Sequence, residues 1–345
     1  MRAVLGLLVA GLVATPLVAK PLVTSSEDTV GRICLARSES PSRVVDACEA
    51  ALASASLTRN QRVDLIVAMA DGHLWMDQYR VAIESYREAI ALDGAKMDAW
   101  NGLGWTLWEA EGDAPAFEAF EASLEIGVSV QALGGKAATG RRLGLLTNDE
   151  ARALLAAALS IDPDYLWALR EIGWTYLDEG HATRAAKEFH AALEIDPQDI
   201  NARYGLGRAA LMSGASEDAL AQFNSVLADA QDDFPTRVYR IIALRDLDRN
   251  AQALREADRV IADFPDKSSG YIERGQALLA LGRRADAIAT YADADARLGP
   301  NNAVLYWYAD ALSIDGQFQA ALDVIDRGLA LSGADYTDHL LRSYI

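Results

Sequence analysis

An alanine recurs eight times at an almost constant step: Ala82, Ala116, Ala151, Ala185, Ala219, Ala253, Ala287 and Ala321, spaced by 34 residues except for one step of 35. A fixed period of this length means that one supersecondary unit is stacked many times, each copy burying its apolar face against the next. Other columns keep the same step. Four residues after each anchor stand Tyr86, Phe120, Leu155, Phe189, Phe223, Ala257, Tyr291 and Ile325, large except for Ala257. Twelve residues before it stand Ala70, Gly104, Thr139, Gly173, Gly207, Ile241, Gly275 and Ala309, small except for Ile241. Seven residues after it the side chains are small or valine.

Small residues on both halves of a unit let two helices approach closely, and a large side chain one turn further on fills the space between hairpins. Helix breakers fall where such a unit must end: Gly94, Pro163, Pro197, Pro265, Gly299 and Gly333 each lie twelve residues after an anchor. With 51% apolar residues, only nine prolines and few runs of alternating β-branched residues, the composition also favours helix over strand.

The spacing and the residues Leu169, Ile172, Gly173, Tyr176, Ala185, Phe189, Ala192 and Pro197 within 166–199 resemble the tetratricopeptide repeat, or TPR. The resemblance covers about residues 63–335 and implies an all-α, right-handed superhelical solenoid of eight antiparallel helix pairs. The third pair, near residues 131–165, is the exception, because GGKAATGRRLGLL has poor helix formers and the anchor slips by one residue; a kinked or looser first helix is expected there. In the sixth pair, Ile241 and Ala257 invert the small and large columns, which reads as a size exchange across one packing layer.

Four segments follow. Residues 1–19, MRAVLGLLVAGLVATPLVA, combine an early arginine, an apolar run and a terminal small residue, as a secretory signal peptide does. The alternative is an uncleaved membrane anchor. Residues 20–62 hold an irregular helical hairpin with the two cysteines, Cys34 and Cys48, which in an oxidising compartment most simply pair; in the cytoplasm they would stay as buried thiols. Residues 63–335 are the repeats, and 336–345 read as a closing helix or a disordered tail. No cysteine directly follows the apolar run, so a lipoprotein is not expected. The expected location is the periplasm, with no membrane insertion once the signal is removed.

A formal net charge of −18 repels polyanions, so nucleic acid is not an expected partner. The four histidines, at positions 73, 181, 190 and 339, are scattered without metal-ligand spacing, and no nucleophile or phosphate-loop motif is present. No catalytic residue, metal or cofactor is expected. The chain reads as an interaction scaffold of the cell envelope rather than an enzyme, with a structural subunit that associates through its end faces as the alternative. The sequence leaves the oligomeric state open.

In the TPR family the first helix of each hairpin lines the concave surface. Carried over by position, the resemblance turns Asn101, Trp105, Trp108, Trp167, Arg170, Trp174, Leu177, Tyr204 and Arg208 inward. Aromatic rings flanked by arginine are typical anchors at protein interfaces, so Trp105, Trp108, Trp167, Arg170, Trp174, Tyr204 and Arg208 form the candidate site for a protein or peptide. The competing reading is that these rings pack on one another or prop up the third pair. Arg170, Arg208 and Arg245 step through three units, and pairing with neighbouring acids is the leading expectation for them.

Overall fold

A computed structural model describes residues 26–36, 39–53 and 56–332. The expected signal segment at 1–19 and the expected closing helix at 336–345 lie outside these residues. Among the described residues the regular elements are eighteen α-helices. They form two compact units, residues 1–175 and 176–345, each considered by itself below.

The first unit begins with a hairpin of α1 (Ser26–Ala36) and α2 (Pro41–Leu52). The pairs α3 (Arg59–Trp75) and α4 (Tyr79–Leu92), α5 (Met97–Ala110) and α6 (Asp113–Ile126), and α7 (Val130–Arg142) and α8 (Asn148–Ile161) follow, and α9 (Leu166–Asp178) contains the division. The second unit continues with α10 (Ala182–Ile195), then pairs α11 (Ile200–Met212) with α12 (Ser216–Asp229) and α13 (Phe234–Asp246) with α14 (Asn250–Asp263). It ends with α15 (Ser268–Ala280) and α16 (Arg284–Leu298), and α17 (Asn302–Ile314) and α18 (Phe318–Ser332).

Helix ends follow local chemistry. Because a proline disfavours helical backbone in the residue before it, α8, α10 and α14 stop ahead of Asp162-Pro163, Asp196-Pro197 and Phe264-Pro265. Helices α3 and α8 open with capping boxes, Thr58 with Gln61 and Thr147 with Glu150, which satisfy otherwise orphaned amide groups. In six hairpins the tight turn uses a left-handed residue five positions before the anchor. Gly180, Gly214, Gly282 and Gly316 supply it, and at the equivalent sites Asp77 and Asp248 adopt φ of 56°.

The large-residue column is the core of each layer. Tyr86, Phe120, Phe189, Phe223 and Tyr291 are all 0% exposed. Each ring occupies space that a small residue leaves open. A Cβ on Gly104 would come within 2.6 Å of the Phe120 ring, and one on Gly135 in the next hairpin would collide with the same ring from the other side. Burying such a ring stabilises its layer by roughly 2–3 kcal/mol, so the fold rests on this alternation of ring and gap. The sixth pair packs with sizes exchanged: Ile241 and Ala257 are both fully buried in one cluster.

The third pair departs from expectation. Helix α7 is an unbroken thirteen-residue α-helix, capped by the Ser129 hydroxyl on the amide of Ala132. Its glycines are weak helix formers, but Gly134 faces the ring of Trp167, Gly135 that of Phe120, and Gly140 the side chains of Leu146 and Phe117. Propensity lost in the helix is offset by close packing around it.

At the start of the described chain, Cys34 on α1 and Cys48 on α2 form a disulfide, with Cα atoms 4.9 Å apart and both side chains fully buried against α3. None of the described helices is long and apolar enough to cross a membrane.

Candidate protein-binding face

Within each unit the first helices of successive hairpins touch one another, α3 with α5 and α5 with α7 in one, α11 with α13, α13 with α15 and α15 with α17 in the other. The second helices make no such contacts among the described residues. Each unit is therefore more closely packed along its first-helix side.

In the first unit, Trp105 and Trp108 on α5 and Trp167 on α9 form one aromatic group. The ring centroids of Trp105 lie 5.2 Å from Trp108 and 5.4 Å from Trp167, the latter edge to face, and Trp105 also meets Phe120 at 5.2 Å. The guanidinium of Arg142, at the end of α7, lies 4.3 Å over the Trp108 ring and donates through Nε to Asp113 at 2.8 Å. Trp105, Trp108 and Trp174 are half-buried, so part of each indole remains open. Trp167 and Arg170 keep only 2% and 4% of their surface and as the molecule stands do not present area to a partner.

Asn101 is also buried, at 7% exposure. Its amide donates to Ser129 at 2.9 Å and its carbonyl accepts from Ser123 at 2.7 Å, which ties α5, α6 and α7 together. The next hairpin covers this end of the helix, so a position that the repeat pattern turns inward becomes a structural hydrogen-bond hub. Trp100 likewise acts in packing, with its indole N–H donating to the Gly94 carbonyl at 3.0 Å.

In the second unit, Leu177 is buried, while Tyr204 and Arg208 on α11 are half-buried beside Tyr239 on α13. The Tyr204 and Tyr239 rings are 5.7 Å apart, and Arg208 lies 5.0 Å over Tyr239. Burial pushes the Tyr204 hydroxyl well above the usual tyrosine range, so it stays a neutral hydrogen-bonding group. Arg245 pairs with Glu273, as expected of an arginine in this array. Burial still raises the Glu273 carboxyl above its usual range, against the pull of Arg245.

Two features escape the repeat pattern. Arg142 follows no column, yet it completes an arginine-on-tryptophan stack. A cleft of about 330 Å³ opens between α13, α15 and α17, lined by Arg245, Asp246, Asp248, Gln276 and Asp310 among others. Burial raises the Asp310 carboxyl above its ordinary range. Neither was legible from spacing, because both depend on where side chains from separate hairpins converge.

A family model described as tetratricopeptide repeat matches residues 67–129 and 240–303, and a second with the same description matches 176–244, together more than half of the chain. The chain is a tetratricopeptide-repeat protein. Proteins of this family generally bind other proteins or peptides and act as scaffolds rather than catalysts. Among solved structures, this TPR chain is similar to a tetratricopeptide repeat protein from Parabacteroides merdae at 18% identity and a TM-score of 0.54, over 73% of this chain and 99% of that one. It is similar to PilW, described as a widely conserved type IV pilus biogenesis factor, at 21% identity and 0.55, over 61% and 97%. Pseudomonas aeruginosa PilF gives 13% and 0.53, over 61% and 96%. At these identities the likeness is one of fold. No curated protein sequence matches the chain.

Proposed function

We propose that this TPR protein is a non-catalytic scaffold of the cell envelope that binds a protein or peptide on the first-helix faces of its hairpins. The observation that carries the reading is the half-open pair Trp105 and Trp108 with Arg142 stacked on it. Indole and guanidinium together give a flat, amphipathic surface, and rings already locked by Trp167 lose little entropy when a partner covers them. Trp174 adds a half-open indole in the same unit, and Tyr204, Arg208 and Tyr239 offer a smaller surface of the same kind in the other. Trp167 and Arg170 act beneath this surface as supports.

Export to the periplasm is part of the proposal. The Cys34–Cys48 disulfide needs an oxidising compartment to persist, and the apolar leader at 1–19 would supply the route. PilW, a type IV pilus biogenesis factor of similar fold, is consistent with an envelope role.

The test is affinity capture from an envelope extract with the mature protein and with a Trp105→Ala/Trp108→Ala variant whose helical circular dichroism matches wild type. A partner that the wild type retains and the folded variant loses supports the inner face. Equal capture by both removes these rings from the binding site.

A further inference from the structure

On the side of the second unit opposite its first-helix face, α12 and α14 flank a cleft of about 410 Å³ whose floor is α13. Its lining carries four arginines, Arg240, Arg249, Arg255 and Arg259, and one acid, Glu256. This is an unusual balance in a chain of net charge −18.

The single acid is already oversubscribed. Glu256, 6% exposed, accepts from Arg240 at 2.5 Å and from Arg237 at 3.3 Å, and Arg259 approaches it at 3.6 Å. Arg237 has a second acid, Asp263 at 2.7 Å, and is itself buried below the cleft. Arg249 reaches out of the cleft to Glu217 at 2.5 Å, but both side chains are largely exposed, and an exposed pair of this kind is worth little and exchanges readily. Arg255 is exposed and has no acidic partner among the described residues. The remaining polar lining groups, Asn224 and Gln252, are neutral amides able to hydrogen-bond a ligand oxygen.

We propose that this cleft binds a small multivalent anion bearing phosphate or carboxylate groups, held chiefly by Arg240, Arg255 and Arg249. Guanidinium forks match the paired oxygens of both groups. The volume suits a compact small molecule. A long polyanion is disfavoured, because beyond the cleft it would meet the acidic surface of the rest of the chain. The site is separate from the aromatic face and does not depend on that reading.

Isothermal titration calorimetry with inorganic pyrophosphate and with citrate, at low ionic strength, tests the assignment. Wild type should bind at least one of the two saturably with one site per chain; pyrophosphate alone would mark the site as phosphate-selective, citrate alone as carboxylate-selective. Arg255→Gln, which breaks no ion pair of the fold, should weaken binding about tenfold, and Arg240→Gln by at least as much. Arg284→Gln, on α16 and away from the cleft, should leave it unchanged. No saturable binding of either probe, or equal binding by wild type and Arg255→Gln, would overturn the proposal.

Discussion

The ring of Trp167 lies against the backbone of Gly134, so close that a Cβ on Gly134 would stand 2.8 Å from the indole Cζ3. Glycine there is what allows a tryptophan from α9 to reach across α7 to Trp105 on α5. Gly134→Ala should therefore destabilise the protein by about 1–3 kcal/mol through overpacking, although alanine is the better helix former. Gly31→Ala on α1, where the added methyl meets nothing among the described residues, should stabilise slightly. Urea midpoints of the two variants, moving in opposite directions, check the relationship.

Asp310 gives a pH dependence of defined sign. Its carboxyl is raised above the ordinary 3.8 by burial, so the folded state holds the proton more tightly than the unfolded chain. Stability from this group falls as pH rises from the unfolded value through the folded one, and the loss is complete above it. Asp310→Asn should raise the thermal midpoint at pH 7, with a gain that shrinks as pH falls toward about 4. A gain that is constant across this range would show that the carboxyl is not the cause.

Reducing the Cys34–Cys48 bridge should loosen the α1–α2 hairpin before the rest. The cysteines are 14 residues apart, and closing a loop of that size contributes about 3 kcal/mol. In a stacked array each hairpin depends on its neighbours, so the loss should be local. Limited proteolysis of a Cys34→Ser/Cys48→Ser variant should cut first within residues 26–53 and leave the later hairpins protected.

Asp248 holds a left-handed turn with φ of 56° where the equivalent residues in neighbouring hairpins are glycines. Asp248→Gly should stabilise the second unit by up to about 1 kcal/mol, because a Cβ in that conformation is strained. Differential scanning calorimetry would detect the rise in midpoint.

The all-helical class, the ends of α8, α10 and α14 and the buried rings were legible from column spacing. In a repeat each ring meets a gap sixteen residues before it and another about sixteen residues after it, as Phe120 meets Gly104 and Gly135. The candidate site was legible only as a set of first-helix positions. Column position says which side of a helix a residue faces, but not whether another ring covers it.

The 34-residue period by itself determined the all-helical hairpins, their order and the residues at the centre of each layer, because those contacts lie within one repeat of each other. Only the tertiary structure decided that α7 stays regular, that Trp167, Arg170 and Asn101 are buried while Trp105 and Trp108 remain half open, and that three arginines share one buried glutamate. These outcomes depend on side-chain volume and charge brought together from different hairpins, where packing and burial outweigh the intrinsic preference of any single segment.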